Sequence, residues 1–166
     1  AFEKRWPVGT RERLAFDLLL YTAQRSGDVR CMGRQHVRDG LIIVRQGKTS
    51  ERLEIPIHRA LKRSLDAADS SQLTFLVTQF GEPFTAAGFS NFFSEAARRA
   101  GLPKGCSAHG LRKSAARRLA EAGCSAHEIM AVTGHRTLKE VTRYTAAADQ
   151  KRLARTALDS LGKNGG

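Results

Sequence analysis

The sequence predicts a mainly α-helical protein with a small antiparallel β-sheet (an α+β fold). Two observations lead to this class. Apolar residues recur at helical spacing in several segments that begin with a capping residue. One stretch only, residues 41–57, is typical of two strands joined by a tight turn. The 166 residues are enough for one domain with its own core, which we place at residues 1–166.

The first half of the chain contains the predicted sheet. Thr10 is the expected N-cap of an amphipathic helix that reaches about Arg25 and ends at residues 26–28. Asp39-Gly40 is a typical hairpin turn. The other elements expected here are strands at 41–45 and 52–57, a turn at 46–50, a helix at 59–68 and a third short strand at 74–77.

The second half is predicted to be helical. Thr85 should cap a helix ending near Ala100, and its phenylalanines lie at the spacing of a core-facing stripe. Ser125-x-x-Glu128 and Thr137-x-x-Glu140 are two capping boxes, the second leading into a turn before Tyr144. The other expected helices cover 109–122 and 149–161, the last with leucines on one face.

The charge of the chain indicates its class of partner. Twenty-eight basic and sixteen acidic residues give a net charge of +12, which suits a polyanion or an anionic membrane surface. Residues 96–120 hold seven Lys or Arg residues and no acidic one, whereas a solvated face normally mixes both signs. This distribution favours nucleic acid. The candidate DNA-binding residues are Arg98, Arg99, Lys104, Lys113 and Arg117.

Several classes of protein are not supported. No apolar run approaches the roughly 18 residues of a membrane helix. The three cysteines are widely spaced and form no CxxC pattern, so neither a disulfide framework nor a zinc site is indicated. The chain lacks a P-loop, and no metal or other cofactor is expected.

The residues suited to phosphodiester chemistry lie between His109 and Tyr144. His109 and Arg112 share a helix face, and Arg can hold two nonbridging phosphate oxygens while His exchanges a proton near neutral pH. His135 follows a glycine near the start of the next helix. Tyr144 is one of two tyrosines, and a tyrosine nucleophile needs positive charge or a base nearby. Each of these residues taken alone is better explained by a structural role than by catalysis.

Together these pieces resemble the catalytic domain of tyrosine recombinases, the phage integrase family. The motifs that carry the resemblance occur in the family's order and span nearly the whole chain. They are Thr22-Ala23-Gln24-Arg25-Ser26-Gly27-Asp28, Gly47-Lys48-Thr49, His109-Gly110-Leu111-Arg112, Gly134-His135 and Thr142-Arg143-Tyr144-Thr145.

The resemblance implies a role for each matched residue. Arg25 and Arg112 would clamp the scissile phosphate, Tyr144 would attack it, and Lys48 would protonate the leaving 5′-oxygen. These are the residues of a site-specific DNA strand transferase that forms a 3′-phosphotyrosyl intermediate, as in phages and other mobile elements.

Three further positions receive supporting or acid–base roles from the resemblance. His109 would take part in proton transfer, His135 would hydrogen-bond the phosphate, and Asp28 would support the site from behind. Ala23 stands where the family commonly has glycine.

The resemblance also suggests partners and leaves alternatives open. We expect double-stranded DNA as the partner, with self-association into a tetramer on DNA, in which the helix at 149–161 could dock on a neighbour or on its own domain. The chain is interpreted as a C-terminal fragment of a cytoplasmic, nucleoid-associated prokaryotic protein, without the family's N-terminal DNA-binding domain. A type IB topoisomerase and a non-catalytic helix-turn-helix module are the alternatives.

Overall fold

The structure, a computed structural model, describes residues 1–163 and confirms the predicted class. The helices are α1 (Phe2–Arg5), α2 (Arg11–Thr22), α3 (Ser26–Val29), α4 (Arg59–Asp66), α5 (Ala86–Arg99), α6 (Ala108–Glu121), α7 (Ala126–Thr133) and α8 (Leu138–Lys163). The strands are β1 (Val37–Arg38), β2 (Leu41–Arg45) and β3 (Arg52–Pro56). No helix within residues 1–163 has the length and apolar character needed to cross a membrane.

The chain divides into two compact units. The first unit covers Ala1–Ala115 and contains the sheet, and the second begins at Ala116. The core of the first unit is built on α2 and α5. Leu18 of α2 and Phe89 of α5 are completely buried, and Phe93 is nearly so. The prediction that the phenylalanine stripe faces the core is therefore confirmed.

Local capping explains where α2 and α5 begin. The Thr10 hydroxyl accepts a hydrogen bond from the backbone N–H of Arg13, and the Thr85 hydroxyl accepts one from Gly88. Each bond satisfies an N–H group that has no partner within its helix. The predicted starts of both helices are confirmed to within one residue.

The end of α2 differs from the expectation. The helix stops at Thr22 because Ala23 adopts the left-handed conformation, with φ 54° and ψ 25°. The predicted stop at residues 26–28 was wrong, since these residues form α3 instead. A left-handed residue cannot continue a right-handed helix, and it turns the chain sharply just before Arg25.

The sheet has the strand order β1-β2-β3, with antiparallel pairing throughout. Asp39 (φ 50°) and Gly40 (φ 76°) form the predicted turn between β1 and β2. Ile42 pairs with Ile55, and both side chains are buried. The expected strand at 74–77 was wrong, because only Val77 forms an isolated bridge, with Pro83. A two-residue turn instead brings β1 onto β2 as the third strand.

The second unit has a small apolar core of its own. Ala116, Ala120, Ile129 and Val141 are buried together, and the Tyr144 ring packs against them. Gly123 (φ 91°) follows α6, and Ser125 and Glu128 form the predicted capping box of α7.

Helix α8 is longer than predicted. It runs without interruption from Leu138 to Lys163, so Tyr144 lies within a helix and not in the expected turn before a separate helix. Its N-terminus shows the predicted box, because the Glu140 carboxylate accepts from the backbone N–H of Thr137. No glycine or proline occurs between residues 138 and 161, and the alanines at 146–148 favour helix strongly. The interpretation as two elements missed this continuity.

Candidate active site

Arg112 is the central cation of the first unit. Its side chain lies on α6 and is only 5% exposed. One of its terminal nitrogens, Nη1, donates to the backbone carbonyl of Ala23 at 2.6 Å. The carbonyl belongs to the left-handed turn at Ala23, which lies two positions before Arg25 in the chain. The hydrogen bond therefore holds the Arg112 guanidinium against this turn. A contact between residues 89 positions apart brings the two predicted clamp arginines to the same end of α2.

Arg25 follows this turn as the N-cap residue of α3. Its Nη1 is buried and has no hydrogen-bond partner among residues 1–163. A buried, unsatisfied donor on a cation costs on the order of 1–3 kcal/mol or more. A bound anion would remove this cost, since a guanidinium matches the oxygens of a phosphate.

Lys48 lies at the tip of the turn between β2 and β3, and it is exposed. The turn is tied to α3 through Asp28, whose Oδ1 accepts a hydrogen bond from the backbone N–H of Gly47 at 2.8 Å. Asp28 therefore contacts the residue next to Lys48. This contact agrees with a supporting position.

His109 lies in the first turn of α6, where the Ser107 hydroxyl accepts from the N–H of Gly110 at 3.2 Å. Its side chain is exposed. His109 and Arg112 share the helix as predicted, but they differ in environment, because one side chain is accessible to solvent and the other is buried.

The second unit brings His135 and Tyr144 together. Their ring centroids are 6.5 Å apart, with an interplanar angle of 45°. The Thr133 hydroxyl donates its proton to the carbonyl of Ile129 at 2.9 Å. His135 Nδ1 lies 2.6 Å from this hydroxyl oxygen, a contact in which the donor depends on the tautomer of the imidazole.

Arg143 belongs to the tyrosine motif, and the resemblance implies no role for it. Its Nη2 donates to the Tyr144 hydroxyl oxygen at 2.9 Å, and its guanidinium carbon lies 4.9 Å from the centre of the ring. Adjacent helix residues do not normally face each other, so the long side chain has to fold back over the ring. Charge adjacent to the tyrosine in sequence was the available signal.

The N-terminus of α8 is capped by the side chain of Glu140. The backbone N–H of Thr137 is the main reason that the pKa of Glu140 lies below its ordinary value, and the N–H of Arg136 acts in the same direction. The hydroxyl of Thr137 and the nearby charge of His135 make smaller contributions. The carboxylate thus caps the helix that carries Tyr144.

The basic residues predicted to contact DNA differ in their surroundings. Arg98 is paired with Glu95 on the same helix at 2.6 Å, and the guanidinium of Arg99 lies 5.1 Å from the centre of the Trp6 ring. Lys104, Lys113 and Arg117 are exposed. Among residues 1–163, no three His, Cys, Asp or Glu side chains are close enough to share a metal ion.

Each unit thus holds its own set of candidate groups. The first unit has two arginines at one helix end, a lysine on a tethered turn and an exposed histidine. The second has a tyrosine hydroxyl in contact with an arginine, and a histidine whose ring lies near that tyrosine. Cationic donors of this kind suit an anionic, phosphate-like substrate, and the tyrosine is a candidate nucleophile.

Comparisons with known proteins identify the family of this chain. The family model described as the phage integrase family matches residues 1–151. A shufflon-specific DNA recombinase of Escherichia coli is 30% identical over 135 residues, which are 78% of this chain and 33% of the relative.

Solved structures show the same fold. Lambda integrase bound to DNA has a TM-score of 0.70 and 28% identity, over 87% of this chain and 55% of that chain. A lambda integrase tetramer bound to a Holliday junction has a TM-score of 0.65 and 29% identity, over 82% and 43%. The chain spans about a third of the curated relative and about half of these structures. Because the family model covers most of its length, the chain belongs to the phage integrase family of tyrosine recombinases.

Proposed function

We propose that this protein is a site-specific DNA recombinase that cleaves and rejoins DNA strands through a 3′-phosphotyrosyl intermediate. The observation that carries the proposal is the pair of arginines at the end of α2. Arg112 is held by the Ala23 carbonyl, while Arg25 has a buried nitrogen with no hydrogen-bond partner in the described chain. An arriving phosphodiester would satisfy that nitrogen and be clamped by two forked cations.

The proposed reaction is a transfer of the phosphoryl group from the DNA to the tyrosine. The Tyr144 oxygen attacks the phosphorus atom as its phenolic proton leaves, and a bond from the phosphorus to this oxygen forms. The bond from phosphorus to the 5′-oxygen breaks, so that one strand ends in a 3′-phosphotyrosyl link and the other in a 5′-hydroxyl. The link conserves the energy of the broken bond, and religation by the reverse step needs no ATP.

Protons move at both oxygens in this scheme. Lys48 donates one to the leaving 5′-oxygen, and His109 exchanges the proton of the attacking phenol. His135, whose Nδ1 contacts the Thr133 hydroxyl, would contact the phosphate through Nε2. The arginines oppose the negative charge that builds on the nonbridging oxygens.

The decisive experiment removes the nucleophile. The full chain is incubated with a library of duplexes of randomised sequence, each carrying a nick. Cleavage near the nick releases a short 5′-hydroxyl fragment, which diffuses away and prevents religation. Covalent complexes are then recovered in denaturant. The native protein should form an adduct and enrich a target sequence, whereas Tyr144→Phe should bind DNA without forming one. Tyr21→Phe is the matched control, because it removes the other tyrosine hydroxyl of the chain. An adduct that survives Tyr144→Phe would overturn the proposal.

Two further measurements separate this proposal from its alternatives. Adduct formation in excess EDTA is expected, and strict metal dependence would indicate a nuclease. Relaxation of supercoiled plasmid without exchange between two target sites would indicate a type IB topoisomerase. Binding without any adduct from the native protein would indicate a helix-turn-helix module, although Ile129 of α7 is buried where such a module presents side chains to bases.

DNA contacts outside the cleavage site are proposed for the exposed basic residues. Lys104, Lys113 and Arg117 would neutralise backbone phosphates, with Arg98 and Arg99 joining if DNA displaces their present partners. Affinity should then fall steeply as the salt concentration rises. A flat salt dependence would contradict this role.

We also propose that copies of the protein associate on double-stranded DNA, as a tetramer, through the end of α8. Leu153, Leu158 and Leu161 are 62%, 67% and 71% exposed along this helix. Solved lambda integrase is tetrameric on a Holliday junction. Leu158→Glu should abolish assemblies larger than one protomer on target DNA in sedimentation runs, while Arg155→Glu, also exposed on α8, should preserve them. Unchanged assembly with Leu158→Glu would contradict the proposed docking.

A further inference from the structure

Two buried glutamines lie beneath the turn that carries Lys48. Gln24 precedes Arg25 in sequence and Gln46 precedes the turn, and both side chains are 0% exposed. Nε2 of Gln46 donates to Oε1 of Gln24 at 2.6 Å, and Nε2 of Gln24 donates to the Thr22 carbonyl at 2.8 Å. A buried amide is costly unless it is hydrogen-bonded, so this pairing is a specific feature of the fold.

The same network continues into the turn itself. The Thr49 hydroxyl donates to Oε1 of Gln46 at 2.8 Å and accepts from the N–H of Glu51 at 3.3 Å. The N–H of Ser50 donates to the Gln46 carbonyl at 2.8 Å. The residues on the C-terminal side of Lys48 are therefore held through the side chain and backbone of Gln46.

Each amide in this network donates through its nitrogen and accepts through its oxygen. The NH₂ group of Gln24 donates to the Thr22 carbonyl, so the side-chain oxygen of Gln24 faces Gln46. The NH₂ group of Gln46 donates to that oxygen. That orientation leaves the Gln46 oxygen toward the Thr49 hydroxyl. Reversing either amide would oppose two like groups, so the orientations of the two amides depend on each other.

We propose that Gln24 and Gln46 are positioning residues for Lys48, joining its turn to the backbone that carries Arg25. The inference rests on the proposed function, in which Lys48 protonates the leaving 5′-oxygen. Proton transfer requires a heavy-atom separation of about 2.6–3.2 Å, which a lysine on a loose hairpin would reach rarely. The glutamine pair restricts the turn from below, while Asp28 holds it at Gly47.

The test compares two leaving groups on nicked duplexes of the sequence recovered by covalent capture. One substrate has the natural 5′-oxygen at the cleaved bond, and the other has sulfur there. A thiolate is a far weaker base than an alkoxide and leaves without a proton. A defect that acts through the general acid is therefore repaired by sulfur, whereas general damage to the fold is not.

Gln46→Met is the central variant, because methionine keeps the length of the side chain and removes the amide. We expect it to slow cleavage of the oxygen substrate about tenfold or more, and to cleave the sulfur substrate near the native rate, like Lys48→Ala. Ser64→Ala is the control, because it removes a buried hydrogen bond to Asp17 elsewhere in the first unit. It should affect both substrates equally.

The outcomes distinguish failure of this inference from failure of the proposed function. If Lys48→Ala is rescued by sulfur but Gln46→Met is impaired equally on both substrates, or is not impaired, the positioning role is wrong. If sulfur does not rescue Lys48→Ala, the general-acid role is wrong and this inference fails with it. Should Gln46→Met not fold, Thr49→Val cuts the same network at its partly exposed end and must show the same pattern.

Discussion

Replacing Arg112 by lysine tests the clamp most directly. Arg112 already uses Nη1 to hold the Ala23 carbonyl at 2.6 Å, and in the proposed reaction it must also hold a phosphate oxygen. Lysine has one nitrogen and cannot reproduce both contacts in the same geometry. A lost hydrogen bond to a charged group is worth about 1.5–3 kcal/mol, which corresponds to a rate reduced about 10- to 150-fold.

The assay is the single-turnover rate of covalent adduct formation, with DNA affinity measured separately. We expect Arg112→Lys to slow cleavage within that range while it binds DNA within a few-fold of the native protein. Arg118→Lys is the matched control on the same helix, because Arg118 is exposed, and it should be unchanged. Native cleavage by a folded Arg112→Lys protein would refute the bidentate role, and thermal melting would establish that the variant is folded.

Three other predictions follow from single contacts. Arg143→Ala should slow adduct formation about tenfold without abolishing it, because the guanidinium that contacts the Tyr144 hydroxyl is lost. Single-turnover kinetics measure this rate, and an unchanged rate would show that Arg143 has no part in the reaction. The pKa of Glu140 is lowered, so its capping bonds should stabilise α8 at pH values above the ordinary glutamate pKa of about 4.3. This stabilisation should be lost as the pH falls through the lowered pKa. A carboxyl NMR titration of Glu140 with a midpoint at or above about 4.3 would contradict this. Ala23→Val should destabilise the protein by about 2 kcal/mol or more, because residue 23 is left-handed and 1% exposed. Ala23→Gly should change the free energy of unfolding by no more than about 1 kcal/mol. Denaturant unfolding compares the two variants, and equal stabilities would be inconsistent with strain at this residue.

The elements that were predicted well are those governed by local interactions. Thr10, Thr85 and the Ser125–Glu128 box were recognisable because a capping side chain bonds to a backbone group three residues away. The Asp39-Gly40 turn was predictable for the same reason. These interactions close within one turn of chain, so their residue types and spacing are sufficient to identify them.

The elements that were missed depend on partners far along the chain or on the absence of a stop. Residues 74–77 have strand-like composition, but within the described residues their pairing is limited to one isolated bridge at Val77. Helix α8 continues past Tyr144 because nothing in the sequence breaks it, although its two halves look like separate elements. Composition alone does not reveal which neighbour a segment will meet.

The amino-acid sequence was sufficient to predict the class of fold, the basic character of the protein and a set of candidate residues for phosphodiester chemistry. Charge, residue type and order along the chain are properties that can be read without coordinates. The folded structure was needed to show that Arg112 is anchored on Ala23 and that Gln24 and Gln46 are buried partners. It also shows that Arg143 folds back onto the nucleophile candidate. These contacts depend on burial and direction, and a hydrogen bond between distant residues exists only once the chain has brought donor and acceptor within about 3 Å.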